Sequence, residues 1–272
     1  MADMADYPLG PGGGGPAKGR FRRLIDLARR DDQTVVGWLE DDVHHFGITL
    51  RHDDRHVSDV AVAAVRFPYT TCGGAGIPFG KIVGTPLFER VSEFGRSVDM
   101  RLQCTHLFDL AALLIGFAAK RRAHQRYEAI VEDRSFVGLT AGGRRIMGKG
   151  QAWLREDGVD RLRWEIDGQT VTGPAPWTGW PLMEGFRQRS ELLDVEAARL
   201  GFVLRRAVMV SNGRTAARYP LPRDRNWSGV CHTFQPHVRE YAERIEGLRK
   251  DYSRSSEPML AHVHMTPGYG PL

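Results

Sequence analysis

The chain has 272 residues, enough to bury a substantial core in one large domain or in two of ordinary size. Its 38 lysines and arginines exceed its 33 aspartates and glutamates, but the cations are scattered and often adjoin acids, which does not favour a nucleic-acid-binding protein. The 3 cysteines have no paired spacing, which excludes a secreted disulfide framework and favours a reducing, cytoplasmic compartment.

The two ends of the chain are predicted to be tails. Residues 1–20 are rich in glycine and proline and have no apolar signal core, and residues 256–272 end in a similar composition. The longest apolar run, Leu107–Ala119, is shorter than the about twenty residues that a transmembrane helix needs. We therefore expect no membrane partner.

The first half predicts strands followed by a helix. Short alternating apolar runs between Arg22 and Thr71 indicate antiparallel strands, with a polar hairpin turn at residues 52–55. Residues 72–84 are glycine-rich and predict a loop that runs into a short helix. A longer helix is expected from Thr105 as N-cap, because one buried face would collect Leu110, Leu113, Leu114 and Phe117.

The second half repeats this order of elements. Alternating runs between residues 126 and 175 predict further strands, and residues 190–204 predict a helix. Residues 205–214 suggest a hairpin arm that enters an Asn-Gly turn, and residues 241–252 a short amphipathic helix. The predicted fold is α+β, with two antiparallel-sheet units each covered by helices, in domains of residues 21–122 and 127–255.

A candidate catalytic group surrounds the start of the long helix. Cys104 lies at the expected positive end of the helix dipole, which favours a thiolate, and Cys72 opens the glycine-rich loop. His106 and Asp109 are three residues apart on one helical face, where the carboxylate could fix the imidazole tautomer.

A third cysteine is followed directly by a histidine. Cys231 and His232 could converge with the residues around Cys104 into one catalytic site, but no motif fixes that geometry, and zinc-finger ligand spacings are absent. Each cysteine taken singly is more often a small buried hydrophobe than a functional group. Both interpretations stay open at this point.

Candidate substrate-binding residues come from two other segments. His44 and His45 should point to opposite faces of a strand, one toward the core and one toward solvent. Trp177 and Trp180 lie in a loop rich in proline and glycine that either walls an apolar pocket or packs over the second sheet.

Several familiar sites are missing from the sequence. There is no Walker loop, no G-x-G-x-x-G after a strand, no G-x-S-x-G and no H-E-x-x-H, so no nucleotide cofactor is expected. The acid pairs Asp31-Asp32, Asp41-Asp42 and Asp53-Asp54 are interpreted as solvated edges of turns and strands. The expected cofactor is none or a single metal ion.

Four segments carry a resemblance to known families. "DDVHHFGITLRHD", "RFPYTTCGGAG", "CTHLFDLA" and "GVCHTFQP" resemble a bacterial family defined only as a domain of unknown function, with a Cys-Thr-His-Leu helix start. Residues 46–119 also resemble, more remotely, the iron-sulfur scaffold fold. That resemblance implies that Cys72 and Cys104 match the first and last cluster cysteines, while the middle one has no counterpart between them.

These observations favour an enzyme of the lyase, hydratase or isomerase type. It would act on a small apolar or aromatic metabolite through cysteine and histidine chemistry, because such reactions need proton transfer more than a redox carrier. The alternative is a metal-binding or iron-sulfur scaffold. A homo-oligomer is compatible with either function.

Overall fold

The computed structural model describes residues 19–140, 145–216, 231–261 and 263. Most of the predicted N-terminal tail and the end of the C-terminal tail, with His262 and His264, lie outside these residues. The strands are β1 (Arg20–Arg29), β2 (Thr34–Asp41), β3 (His45–His52), β4 (Val57–Arg66), β5 (His124–Glu132), β6 (Phe136–Leu139), β7 (Arg145–Met147), β8 (Gly150–Glu156), β9 (Val159–Asp167), β10 (Thr170–Gly173) and β11 (Trp180–Pro181).

Two long helices and several short ones accompany these strands. The α-helices are α1 (Phe94–Ser97), α2 (Thr105–Ala119), α3 (Phe186–Ser190), α4 (Val195–Ala216) and α5 (Pro236–Arg239). The 3-10 helices are Thr70–Ile82, Val91–Glu93, Met100–Leu102 and His232–Phe234. No described helix combines the length and the hydrophobicity that crossing a bilayer requires.

Nine of the strands form one antiparallel sheet, in the order β11-β10-β9-β8-β5-β1-β2-β3-β4, and β6 pairs with β7 beside it. The predicted α+β class is confirmed. The strands of the two predicted units belong to this one sheet, since β1 pairs with β5 from Arg20 opposite Glu132 to Ala28 opposite His124. A single hydrophobic cluster also extends from Phe21 to Val208.

Helix α2 lies against β1, β2 and β3. Residues Leu107 to Ala118 are buried, so the helix is covered on all sides and not only on the predicted apolar face. Gly37 of β2 allows the close approach, because a Cβ there would lie 3.0 Å from Leu27 and 3.1 Å from Leu110. This packing holds the first turn of α2 at the end of β2.

Helix α4 packs across β5, β8 and β9, and its length corrects one expectation. The hairpin predicted at residues 205–214 is wrong, because α4 continues to Ala216. The buried residues Leu204, Ala207, Val208 and Ser211 follow helical spacing through this segment. Tertiary burial of that face outweighs the turn preference of Asn-Gly.

Three other local predictions differ from the structure. Residues 241–252 contain turns and irregular chain where an amphipathic helix was expected. The predicted glycine-rich loop is a 3-10 helix from Thr70 onward. Thr105 is the first residue of α2, and Cys104 occupies the cap position without a side-chain capping bond. Small residues at 73–76 permit the tight 3-10 path, since glycine adds no side-chain bulk there.

Candidate functional site

Three segments distant in sequence meet at the N-terminal end of α2. The backbone N–H of His232 donates to the carbonyl of Gln103 at 2.9 Å. The Cys72 Sγ lies 3.0 Å from the Thr233 Oγ1. The structure therefore brings the segments that carry Cys72, Cys104 and Cys231 together, although 127 positions separate the last two.

Burial disfavours ionisation of the three cysteine thiols near the N-terminal end of α2. Cys104 is buried, and burial, with smaller contributions from Cys72 and Cys231, raises the pKa of its thiol to about 12. Burial also raises the pKa of Cys72 and of Cys231. The thiolate expected at Cys104 from the helix dipole is wrong for the free protein, because the cost of burying a negative charge exceeds the dipole's effect.

Asp109 does not orient His106 as the spacing suggested. Its carboxylate binds Arg206 of α4, with the Arg206 Nη2 3.1 Å from the Asp109 Oδ1 and a second contact from Nε. Both side chains are buried. A buried guanidinium needs a carboxylate partner more than a neutral imidazole does, so the ion pair takes Asp109 away from the histidine.

His106 instead stacks on His44, at a ring-centroid distance of 3.7 Å and an interplanar angle of 26°. His44 lies in the turn between β2 and β3. The backbone N–H groups of Val43 and His44 each donate to the Asp41 Oδ1 at 2.9 Å, which fixes this turn on the last residue of β2. We call Asp41, His44 and His106 the histidine cluster.

Asp41 is the site residue that the sequence argument missed. Asp41 and Asp42 are fully buried, so their interpretation as a solvated edge is wrong. Arg23 of β1 donates to the Asp41 Oδ2 at 2.9 Å, and Arg214 of α4 pairs with Asp42. The available signal was the pattern Asp-Asp-x-His at a strand end, together with arginines inside a predicted strand.

The histidine cluster offers three ligand atoms, all within 4.8 Å of one another. The Asp41 Oδ1 and the His44 Nδ1 are 2.9 Å apart. The Nε2 of His106 is buried without a hydrogen-bond partner among the described residues. The Cys104 Sγ lies 3.9 Å from the other ring nitrogen, Nδ1 of His106.

The charge states of the cluster suit a cation. Burial alone would raise the pKa of Asp41, but His44, Arg23 and His106 outweigh it and hold that pKa well below its usual range. Burial lowers the pKa of His106 well below the ordinary histidine value, and the neighbouring His44 lowers it further. The cluster therefore presents a carboxylate and a neutral imidazole at neutral pH.

His45 and His232, which the sequence also suggested as site residues, are not members of the histidine cluster. His45 packs edge-on against Trp38, with ring centroids 5.5 Å apart, and its Nδ1 is 3.9 Å from the Glu40 Oε1. The side chains of His44 and His45 are only 13% and 15% exposed, so the expectation that one of them is solvated is wrong. His232 is half-buried beside the glycine-rich segment.

Trp177 and Trp180 lie in the core, only 3% and 8% exposed. Their ring centroids are 4.7 Å apart, and Trp177 also packs on Trp164 at 5.1 Å. These contacts support the packing interpretation of the aromatic loop, because both indoles are used in covering the sheet.

Neither models of known protein families nor curated proteins match this chain.

Proposed function

We propose that this protein is a single-metal enzyme that binds a divalent transition-metal ion at Asp41, His44 and His106. The observation that carries the proposal is that Asp41, His44 and His106 each offer one ligand atom, all within 4.8 Å of one another, while the Nε2 of His106 is buried without a hydrogen-bond partner among the described residues. A buried polar atom without a partner costs about 1–3 kcal/mol, and coordination to a metal ion would remove that cost.

The ligand types and spacing support a transition metal. Two imidazoles and one carboxylate suit zinc and non-haem iron. Ligand atoms bound at about 2.1 Å to one ion lie roughly 3 Å apart when adjacent, close to the 2.9 Å between Asp41 and His44. Three protein ligands would leave a position for water or substrate, as catalytic sites require.

Cys104 has a place in this arrangement as a neighbour of His106. A bound cation stabilises thiolate and lowers thiol pKa values, so metal binding would counter the burial that raises the pKa of Cys104. Arg23 would then neutralise part of the ligands' negative charge through Asp41. Thiol ionisation on metal binding is therefore a consequence of the proposal.

Lyase, hydratase or isomerase chemistry on a small molecule fits such a centre. A Lewis-acidic ion would polarise a carbonyl or activate a water at the open position. Such reactions need no nucleotide cofactor.

The test is metal binding by the full chain. Zn²⁺, Mn²⁺ and anaerobic Fe²⁺ are titrated into chelator-treated protein by calorimetry, with His44→Ala, His106→Ala and the surface control His56→Ala. We expect one ion per chain and at least a hundredfold weaker binding in the first two variants only. Absence of binding by wild type, or equal binding by all variants, would overturn the proposal.

A second candidate, an iron-sulfur scaffold, is supported by the meeting of the three cysteine segments. Cys231 supplies from the far end of the chain the third cysteine that the resemblance lacked, near enough to raise the pKa of Cys104. Anaerobic reconstitution followed by iron and sulfide analysis separates the candidates. Stoichiometric sulfide that is lost in Cys231→Ser but kept in His44→Ala would favour the scaffold over the enzyme.

A further inference from the structure

A cavity of about 810 Å³ lies on the other side of the first turns of α2. Its walls come from residues 91–101, the segment 183–188 and one face of α4. Small-molecule sites usually measure about 300–1,000 Å³, so this cavity has the size of a ligand site. None of the histidine cluster or the three cysteines lines it.

Cations dominate the charged groups of the cavity wall. The arginines are Arg96, Arg101, Arg187, Arg205 and Arg206, whereas the lining carboxylates are Asp99 and Glu184. Asp99 already caps its own turn, since its Oδ1 accepts the backbone N–H of Arg101 at 2.9 Å. Arg206 is neutralised by Asp109. Arg96 pairs with Glu191, its Nη2 lying 3.8 Å from the Oε2. Arg101, Arg187 and Arg205 still leave the wall with more positive than negative charge.

Arg205 is the central cation of this wall. Its Nε donates to the Leu182 carbonyl at 2.6 Å and its Nη2 donates to the Met183 carbonyl at 2.9 Å. Its guanidinium also lies over the Phe186 ring, 5.1 Å from the centroid. In the described part of the chain, no carboxylate forms an ion pair with Arg205.

Arg205 is half-buried and has no paired carboxylate among the described residues. Burial lowers the pKa of Arg205 to about 10, and the adjacent Arg206 contributes in the same direction, while Asp109 opposes the shift in part. Two carbonyls and a ring face fix the guanidinium plane in advance, which spares a ligand the entropy cost of ordering it. A planar guanidinium suits the two oxygens of a carboxylate or phosphate.

Part of the remaining wall is apolar. Phe108 and Phe186 are buried, and Met100, Met183 and Phe202 also belong to the apolar lining. Methionine adapts to ligands of varied shape, and aromatic faces pack against flat apolar bodies. The combination of one cationic wall with this lining fits a molecule that has an anionic group and an apolar body.

We propose that this cavity binds a small organic anion, with its carboxylate or phosphate group on Arg205 and Arg101 and its apolar body against Phe108 and Phe202. Arg187, at the exposed side of the cavity, adds attraction for the anion. We expect uncharged molecules of the same shape to bind less tightly, because they would leave Arg205 without an anion. The site does not depend on the metal proposal, since it shares no residue with the histidine cluster.

The experiment compares three probes of one shape by calorimetry on the full chain: 1-naphthylacetate, 1-naphthyl phosphate and the neutral 2-(1-naphthyl)ethanol. We expect at least one anion to bind tenfold or more tightly than the alcohol. The stronger of the two anions identifies the preferred group. Equal affinity for all three probes, or no binding of either anion, would refute the proposal.

Variants locate the binding in the cavity. Arg101→Gln and Arg187→Gln alter exposed side chains and should fold, and each should weaken anion binding at least threefold. Arg205→Gln should weaken it more, while Arg55→Gln, an exposed arginine away from the cavity, should bind as wild type does. If Arg101→Gln and Arg187→Gln both bind as tightly as wild type, the anion lies elsewhere and the proposal is wrong. His44→Ala should keep the anion site, which separates this proposal from the metal centre.

Discussion

Burial decides the acid–base behaviour of several single residues in this protein. It raises the pKa of the Cys104 thiol, and it lowers the pKa of His106. Asp41 is equally buried but stays ionised, because Arg23 and His44 lie against it. The same physical cost of burying charge therefore has opposite outcomes, according to whether a partner of opposite charge is present.

His52 shows the same effect away from the candidate site. It begins the polar hairpin turn predicted at residues 52–55, but it is only 2% exposed. Its Nδ1 accepts the backbone N–H of Asp54 at 3.2 Å, which requires an unprotonated nitrogen. Burial lowers the pKa of His52, and Arg29 and Arg121 lower it further against the opposing effect of Asp54.

We predict that His52 makes the protein less stable in acid. An unfolded histidine binds a proton near pH 6.5, whereas folded His52 does so only at lower pH, so the unfolded state binds more protons in that window. The free energy of unfolding should therefore fall as the pH falls below about 6.5, by at most about 1.4 kcal/mol per pH unit from this group. Urea unfolding between about pH 5 and pH 7.5 measures this pH dependence of the free energy of unfolding.

The matched variants are His52→Gln and His56→Gln. His52→Gln should lose less stability in acid than wild type, while His56→Gln, whose side chain is 49% exposed, should follow the wild-type pH dependence. Parallel pH profiles for wild type and His52→Gln would contradict the prediction.

At the scale of secondary-structure elements, the two long helices differ in how they are buried. After Asp109, helix α2 is entirely apolar and is covered all round, whereas α4 carries arginines that pair across its surface with Asp109, Asp42 and Asp133. A helix covered on every side has no surface on which a truncation is tolerated. Helix α4 tolerates change only where it is exposed.

Leu114→Ala should therefore cost about 2–5 kcal/mol in the free energy of unfolding, because Leu114 is fully buried and its removal leaves a cavity. The control is Leu192→Ala, at a residue 86% exposed, which should change stability by less than about 0.5 kcal/mol. Urea denaturation monitored by circular dichroism gives both values. A similar small cost for the two variants would show that α2 is not a core element.

Two glycines of α4 should respond in opposite directions to alanine. A Cβ at Gly201 would lie 2.3 Å from the Trp177 ring, which is buried and has little room to move, so Gly201→Ala should destabilise by about 1–3 kcal/mol. Among the described residues, nothing lies within 4 Å of a Cβ at Gly213, so Gly213→Ala should stabilise by up to about 1 kcal/mol. Thermal unfolding measures the stability of both variants. An increase in Tm for both would contradict the close contact between position 201 and Trp177.

For the whole molecule, the pairing of β1 with β5 joins the two predicted units into one sheet. The chain on either side of the predicted boundary between residues 122 and 127 contributes to one sheet and one hydrophobic cluster. β1 lies between β2 and β5, and β5 lies between β1 and β8. Without the other part of the chain, each of these two strands would have an unpaired edge.

We therefore predict one cooperative unfolding transition for the full chain. In differential scanning calorimetry, the calorimetric and van't Hoff enthalpies should agree, as they do for a two-state process. Two resolved transitions, or a calorimetric enthalpy well above the van't Hoff value, would instead support two independent domains.

The sequence by itself determined the class of fold, most of the strands and the position of helix α2. These features depend on local hydrophobic periodicity, which short segments carry without help from the rest of the chain. It also pointed to the start of α2 as the region of interest, through Cys104 and His106. The helical part of residues 190–204 was predicted for the same reason.

Only the tertiary structure decided which residues meet there. Asp41 and His44 join His106 because β2 ends beside the first turn of α2, and Arg206 takes Asp109 because α4 lies across the same sheet. The choice between a hairpin and a continued helix at Asn212 was decided by burial against strands far away in sequence. Partner choice and pKa depend on distances between remote segments, and local patterns do not contain those distances.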